Sequence, residues 1–303
     1  MPPHRSRTAN VLSRGVAPFA PLALALLMSH AVLPSSGGGG LVETATPTDV
    51  QAVKCDEVLD FQDCHSRFPT GCSQAAGYDA YLNLLKNQLP SPAPPSEPVN
   101  FLNEQRFANL DSNMPSGLTR NNHSTFKDAL AAQGEGQTFG VVGYLYYAIK
   151  TGAESSNCQL PSTDPEGSNV DYHIGIGFDP QLAAQLGGTT KPTKTLMKTL
   201  QQNSVIVEMT PHYRFLFENG AWTLDNLQKA IGKQVKVVGQ LIVDSEHNIP
   251  SQNCALATTP SQRQTCWRAS VWELHPVERF QVCRLGSCSL NSADWLELDQ
   301  LGG

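Results

Sequence analysis

The chain has 303 residues, of which 40% are hydrophobic and 16% charged, and a formal net charge of −6. That composition is globular rather than disordered or fibrous, and the length permits one or two domains. The acidic balance disfavours general nucleic-acid backbone binding, which needs a basic face.

At the N-terminus, Arg5, Arg7 and Arg14 precede the apolar run "VAPFAPLALALLMSHAVL", with small residues "SHA" at 29–31. A basic region, an apolar core and a small-residue cleavage site predict a signal peptide over 1–31 and a secreted or periplasmic protein. The run is short and interrupted by proline. No other stretch approaches the ~20 apolar residues of a spanning helix, so the mature chain is expected to have no membrane span. Residues 32–54, with "SSGGGG" at 35–40, read as a flexible tether. Residues 55–98 read as a Cys-rich helical segment ending in the linker "PSPAPPSEP". Within it Tyr78, Tyr81, Leu82, Leu85 and Leu89 recur at helical spacing after the candidate N-cap Ser73.

An irregular lead-in is expected over 99–138, and then the region that carries the fold, 139–283. "FGVVGYLYYAIK" (139–150), "VDYHIGIGF", "SVIVEMT" (204–210), "QVKVVGQLIVD" (234–244) and "RASVWELH" are β-branched, aromatic and alternating, so each reads as a strand. Between the third and fourth, "WTLDNLQKAIG" reads as a helix with Thr223 as N-cap, Leu224, Leu227 and Ile231 on one face and Gly232 as terminator. A tail is expected over 284–303.

All eight cysteines follow the leader: Cys55, Cys64, Cys72, Cys158, Cys254, Cys266, Cys283 and Cys288. An even number in an exported chain predicts disulfides. The near pairs 254/266 and 283/288 are candidate local bridges, and one further bridge should tie the N-terminal segment to the main domain. Zinc held by Cys55, Cys64, His65 and Cys72 is the competing reading, without the C-x2-C spacing that usually marks such sites.

The order β-β-β-α-β-β resembles the OB-fold, a five-stranded Greek-key barrel, over about half of the chain. The fold class expected is therefore mainly β, an OB-like barrel with a small Cys-rich helical N-terminal extension. "VVGYL" and "VVGQL" place a glycine inside a strand, where a small barrel bends. The string "VVGYLYY", "DYHI", "VIVEMTP", "WTLDNL" and "VWELHPV" is also similar to exported bacterial proteins of no established function, and that similarity implies no activity.

The OB-fold resemblance implies a sheet closing in the order 1-2-3-5-4-1. Alternation then places Tyr172, Ile174, Val205, Val207, Trp272 and Leu274 inside. The opposite face gathers Asp171, His173, Glu208, Glu273 and His275 from three neighbouring strands, with His212, Asp244, Glu246 and His247 near the strand ends. Three readings follow. The face is solvated, and its members pair weakly across strands; under the two readings that follow, His173, Glu208 and His275 act together and, pointing away from the core, are expected to tolerate replacement structurally. It binds an unknown ligand, as strands two and three of this fold commonly do. Or it holds a divalent metal and hydrolyses a substrate, as a phosphodiesterase or nuclease would. No HExxH, GxSxG or Walker motif selects among these. Arg214 and Arg268 are candidates for an anionic ligand, and Tyr144 and Tyr146 for stacking a base or sugar. The balance of these readings favours a binding or structural module, with the metal-dependent hydrolase second.

Overall fold

The computed structural model describes residues 58–72, 80–88, 100–162, 166–187, 189, 191–217 and 222–302, all within one compact unit, Ala45–Gly303. The leader, the tether, Cys55, Ser73 and the proline-rich linker lie outside the described residues.

Among the described residues seven strands form one sheet: β1 (Phe101–Leu102), β2 (Thr138–Lys150), β3 (Tyr172–Gly177), β4 (Ser204–Met209), β5 (Gln234–Val243), β6 (Trp272–Cys283) and β7 (Trp295–Glu297). Five of them close into a barrel in the order β2-β3-β4-β6-β5, with β5 returning to β2. The barrel is mixed: β4 runs parallel to β6, and the other pairs around it are antiparallel. Tyr172, Ile174 and Ile176 of β3, Val205 and Val207 of β4, and Trp272 and Leu274 of β6 all belong to the one main core, as their alternation predicts.

Closure depends on two bends. β2 is long enough to pair with β5 through Thr138–Tyr144 and with β3 through Tyr144–Lys150. Gly143 stands at that change of partner, and a Cβ there would lie 2.6 Å from the carbonyl oxygen of Gly177. Gly239 interrupts the register between β5 and β6, and its Cβ would lie 2.6 Å from the carbonyl of Pro276. Both glycines are required by close backbone approach rather than by an unusual φ.

The helices are α1 (Phe61–Arg67), α2 (Ala80–Lys86), α3 (Glu104–Ser112), α4 (Lys127–Ala131), α5 (Pro180–Ala184), α6 (Lys194–Gln202), α7 (Pro211–Phe217), α8 (Leu224–Lys229) and α9 (Pro260–Thr265). The predicted helix after the third barrel strand is α8, where the Thr223 hydroxyl accepts from the Asn226 amide. Three regions are more ordered than their composition suggested. The lead-in contributes β1, paired parallel to β2, and the helices α3 and α4. The lysine-rich stretch from Lys191 to Lys198 mostly belongs to α6, whose Leu196, Met197 and Leu200 pack on the core. The tail adds β7 to β6 and buries Leu298.

Three disulfides have both partners among the described residues: Cys64–Cys158, Cys254–Cys266 and Cys283–Cys288. Both local pairs are those expected, and Cys64–Cys158 is the expected tie across 94 residues of sequence. Cys64 is therefore unavailable to zinc, and Cys72 is also disulfide-bonded, which removes the zinc reading of that segment.

The N-terminal segment does more than decorate the barrel. α2 lays Leu82 and Leu85 on Ile242 of β5, and Gln240 donates to the Leu85 carbonyl. The Asn87 amide donates to the Ser156 carbonyl, and Ser155 donates to the Asn83 side chain. α2 and the short 3-10 turn Ser155–Asn157 thus roof the outer wall of β5 and β6.

Gly143→Ala is expected to lower stability by about 1–3 kcal/mol through overpacking. Gly152→Ala, whose Cβ would meet nothing within 4 Å, is expected to be neutral or mildly stabilising. Urea denaturation of the two variants checks both.

Candidate functional site

The barrel's register assembles the site. His173 and Glu208 are direct partners across β3 and β4, and Val207 pairs with Leu274, so the side chains flanking Leu274 emerge beside Glu208. His173 Nε2 lies 2.8 Å from Glu208 Oε1, and His275 Nδ1 lies 3.3 Å from Glu208 Oε2 and 3.1 Å from Glu273 Oε1. Arg268 continues the chain, with Nη2 2.9 Å from Glu273 Oε2 and Nη1 3.1 Å from Asp244 Oδ2. Asp244 Oδ2 also meets His247 Nδ1. Lys86, from the roof, approaches Glu154 at 3.8 Å and Asp244 at 3.9 Å. Asp171 stands to one side and accepts from the Asn157 amide.

The convergence expected from the strand order is present, but the face is not solvated. Asp171, Glu208, Glu273 and His275 are each 0% exposed, and His173 keeps only 14% of its side-chain surface. Alternation identifies the face turned away from the apolar interior. It carries no information about the roof that α2 and Ser155–Asn157 place over that face. The expectation that these residues tolerate replacement therefore fails, because a buried charge must keep its partners.

Electrostatics divides the group. Burial pushes Glu208 well above the usual carboxylate range, and the neighbouring Glu273 adds to the shift. Burial also raises Asp171, to about 6, with Glu154 contributing. For Asp244 burial acts upward, but His247, Lys86 and Arg268 together outweigh it and hold the carboxyl well below its ordinary value. For Glu273, burial and Asp244 act upward and are outweighed by Arg268 and His275. Burial alone would lower His275, yet Glu208 and Glu273 raise it. Burial lowers His173. Asp244 and Glu273 are thus balanced by Arg268 and Lys86, and the His275 imidazole lies between Glu273 and Glu208. Glu208 stands apart: neither of its oxygens has a partner in hydrogen-bond geometry, despite the two imidazoles within ion-pair distance.

A cleft of about 450 Å³ opens beside these residues. One wall is the loop after β2, Thr151 to Glu154, and the other is Glu246, His247 and Trp267 from the loop between β5 and β6. His173 and Lys86 line it too, so the cleft reaches the cluster. Trp267 is stacked parallel to His173 at 6.1 Å between centroids, takes His247 edge-on at 5.1 Å, and has the Arg268 guanidinium 4.7 Å from its ring centre.

Several sequence candidates have other work. Arg268 is 0% exposed and committed to two carboxylates, so it is closed to an anionic ligand. Arg214 is spread over the Tyr172 ring at 3.8 Å and donates to the carbonyls of Gly167 and Val170. Tyr146 is buried and donates to the Asp179 carbonyl, and Tyr144 packs partly buried on the core, so neither offers an open stacking surface. His212 is away from the cluster, stacked on His65 at 3.7 Å in the contact between α1 and α7. Lys86, Glu154 and Trp267 were not singled out from sequence. Their only signals are that Glu154 falls in the long loop after β2 and Trp267 next to Arg268, and nothing local marks Lys86.

Arg268→Ala strands two buried carboxylates and is expected to cost about 3–5 kcal/mol. His275→Ala is expected to cost about 1–3 kcal/mol by leaving buried acceptors unmet. Thermal melts check both, and an unchanged midpoint for His275→Ala would restore the solvated face. Acid sensitivity has a separate origin in the two stacked histidines. Burial lowers His65 to about 3, with His212 contributing, and lowers His212 to about 4. An unfolded histidine titrates near ~6.5, so the unfolded state binds more protons below that value. The stability from the two neutral rings is therefore complete above pH ~6.5 and is lost as the pH falls toward the two folded values. Melting temperature between pH 7 and 4 should fall less steeply in His65→Phe than in the unaltered chain.

No protein-family model matches the chain, and no curated protein or solved structure is significantly similar to it, so its functional reading rests on its own residues.

Proposed function

We propose that this chain is an exported OB-fold binding module that takes a small, neutral or zwitterionic polar ligand in the cleft beside His173. The observation that carries the reading is the position of the cleft. It lies between the loop joining the first and second barrel strands and the loop joining the fourth and fifth, and these are the loops with which OB-folds bind. The OB assignment is supported by the closure order, by the parallel pairing of the third and fifth barrel strands and by helices α7 and α8 between the third and fourth. Export is supported by the sequence of the leader and by three disulfides, which persist in oxidising compartments.

The ligand class follows from the lining. A volume of about 450 Å³ suits a small molecule rather than a polymer strand. The lining carries two carboxylates, Glu154 and Glu246, and Lys86 is the only Lys or Arg among the described lining residues, so polyanions are disfavoured. Trp267 and Ile149 supply an apolar wall, while Thr151 and Gln201 supply neutral hydrogen-bonding groups. The second reading, a metal-dependent phosphodiesterase or nuclease using Asp171, His173, Glu208, Glu273 and His275, is favoured only by the unpartnered oxygens of Glu208.

Thermal-shift measurements with neutral oligosaccharides, amino acids, polyols and nucleotides test the proposal. A ligand at 100 times its Kd adds about 2.7 kcal/mol, which is expected to raise the melting temperature by several degrees. Ala153→Trp, an exposed position on the cleft wall, is expected to abolish that shift without changing the unliganded melt. A shift that survives Ala153→Trp, or no shift with any class, contradicts the cleft as the binding site.

A further inference from the structure

We infer that Glu154, His173 and Glu208 form a three-ligand site for one divalent transition-metal ion, of the Zn²⁺ or Mn²⁺ class, at the inner end of the cleft. The inference rests on the cleft being the ligand site and names the inorganic component it would hold. One donor atom from each of the three residues lies within 4.8 Å of the other two. An imidazole nitrogen with two carboxylates is an ordinary set for such ions.

Glu208 is the observation that points to a ligand. It is 0% exposed, and both carboxylate oxygens lack a hydrogen-bond partner. Oε1 lies 2.8 Å from His173 Nε2, yet the two are not hydrogen-bonded. Two ligand atoms this close without a hydrogen bond between them are suited to a shared third atom. At metal–ligand distances of about 2.0–2.2 Å, tetrahedral ligands stand about 3.4 Å apart, so the pair must open by roughly half an ångström.

Two other groupings in the cluster have suitable spacing and are weaker. Asp244 and Glu273, which with Glu208 make one of them, are already bound by the Arg268 guanidinium. In the other, Asp171 accepts from Asn157 and His275 is engaged by Glu273, and all three members are buried. Of the residues in these three groupings, Glu154 and His173 alone line the cleft, which gives an ion a way in. The cleft is also where a fourth ligand, water or an organic donor, would complete the shell. Lys86, 3.8 Å from Glu154, places a positive charge beside the site and argues for one ion rather than two. The rival occupant of the space is a proton shared between His173 and Glu208.

The test uses the full mature chain stripped with a chelator, with metal as the only added ligand, so that it stands apart from the search for an organic ligand. Calorimetric titration with Zn²⁺, repeated with Co²⁺ followed by its visible spectrum, is expected to give one saturable site with nitrogen and oxygen ligands. Losing a supporting outer-shell group typically costs about 10–100-fold, so Glu154→Gln and His173→Ala should each weaken binding at least that much. Glu154 is a partly exposed loop residue, so its variant keeps the test valid if Glu208→Gln fails to fold. Glu104→Gln, on an exposed turn of α3, should bind as the unaltered chain does. No saturable binding, or binding that survives both Glu154→Gln and His173→Ala, overturns the site. Metal binding without any organic ligand would leave the site standing and remove the small-molecule reading of the cleft.

Discussion

A guanidinium removed from water must find carboxylates, and Arg268 finds two. Its fully buried fork spans Asp244, at the end of β5, and Glu273, in β6. Around that contact the long loop between the two strands is held in place. Asn253 bridges to Arg268, the Cys254 amide donates to the Arg268 carbonyl, and Cys254–Cys266 closes the loop above it. Trp267 is thereby set against His173, and His247 against Asp244. The wall of the cleft and the neutralisation of the cluster are consequences of the same buried ion pairs, which is why they cannot be varied independently.

The second constraint is the roof. Carboxylates at this density on an open barrel wall would be hydrated and would repel one another modestly. Under α2 they are desolvated, and each must be paired, protonated or bound to a cation. Lys86 brings one charge from the roof itself, and Arg268 and His275 supply two more from the barrel side. Glu208 has the His275 imidazole 3.3 Å away, but neither of its oxygens is hydrogen-bonded. A face that alternation describes as pointing outward therefore becomes a desolvated cluster of charges.

Much of the barrel was legible in the sequence because it is written with a period of two. Tyr172, Ile174 and Ile176, or Trp272 and Leu274, announce an inner face, and Thr223 announces a helix start. The same alternation placed His173, Glu208 and His275 together once the strand order was assumed. What the sequence hid was tertiary. Burial of the cluster depends on residues 80–88 and 151–160, which reach it through contacts such as Asn87 to Ser156 and the bridge from Cys64 to Cys158. No local pattern around Lys86 reveals that it ends beside Asp244. Helix α6 was obscured by its lysines. The Lys198 ammonium reaches the carbonyls of Thr265 and Cys266 and ties the helix to the disulfide loop.

The central claim is that the barrel presents a buried carboxylate, Glu208, toward an ion at the end of the cleft. A crystal structure of the protein grown with Zn²⁺, with anomalous data collected on both sides of the metal edge, tests it most directly. The account expects one strong anomalous peak about 2.0–2.2 Å from His173 Nε2 and from an oxygen of Glu208, with Glu154 drawn in to it. An empty site with His173 and Glu208 joined by a well-formed hydrogen bond would contradict it.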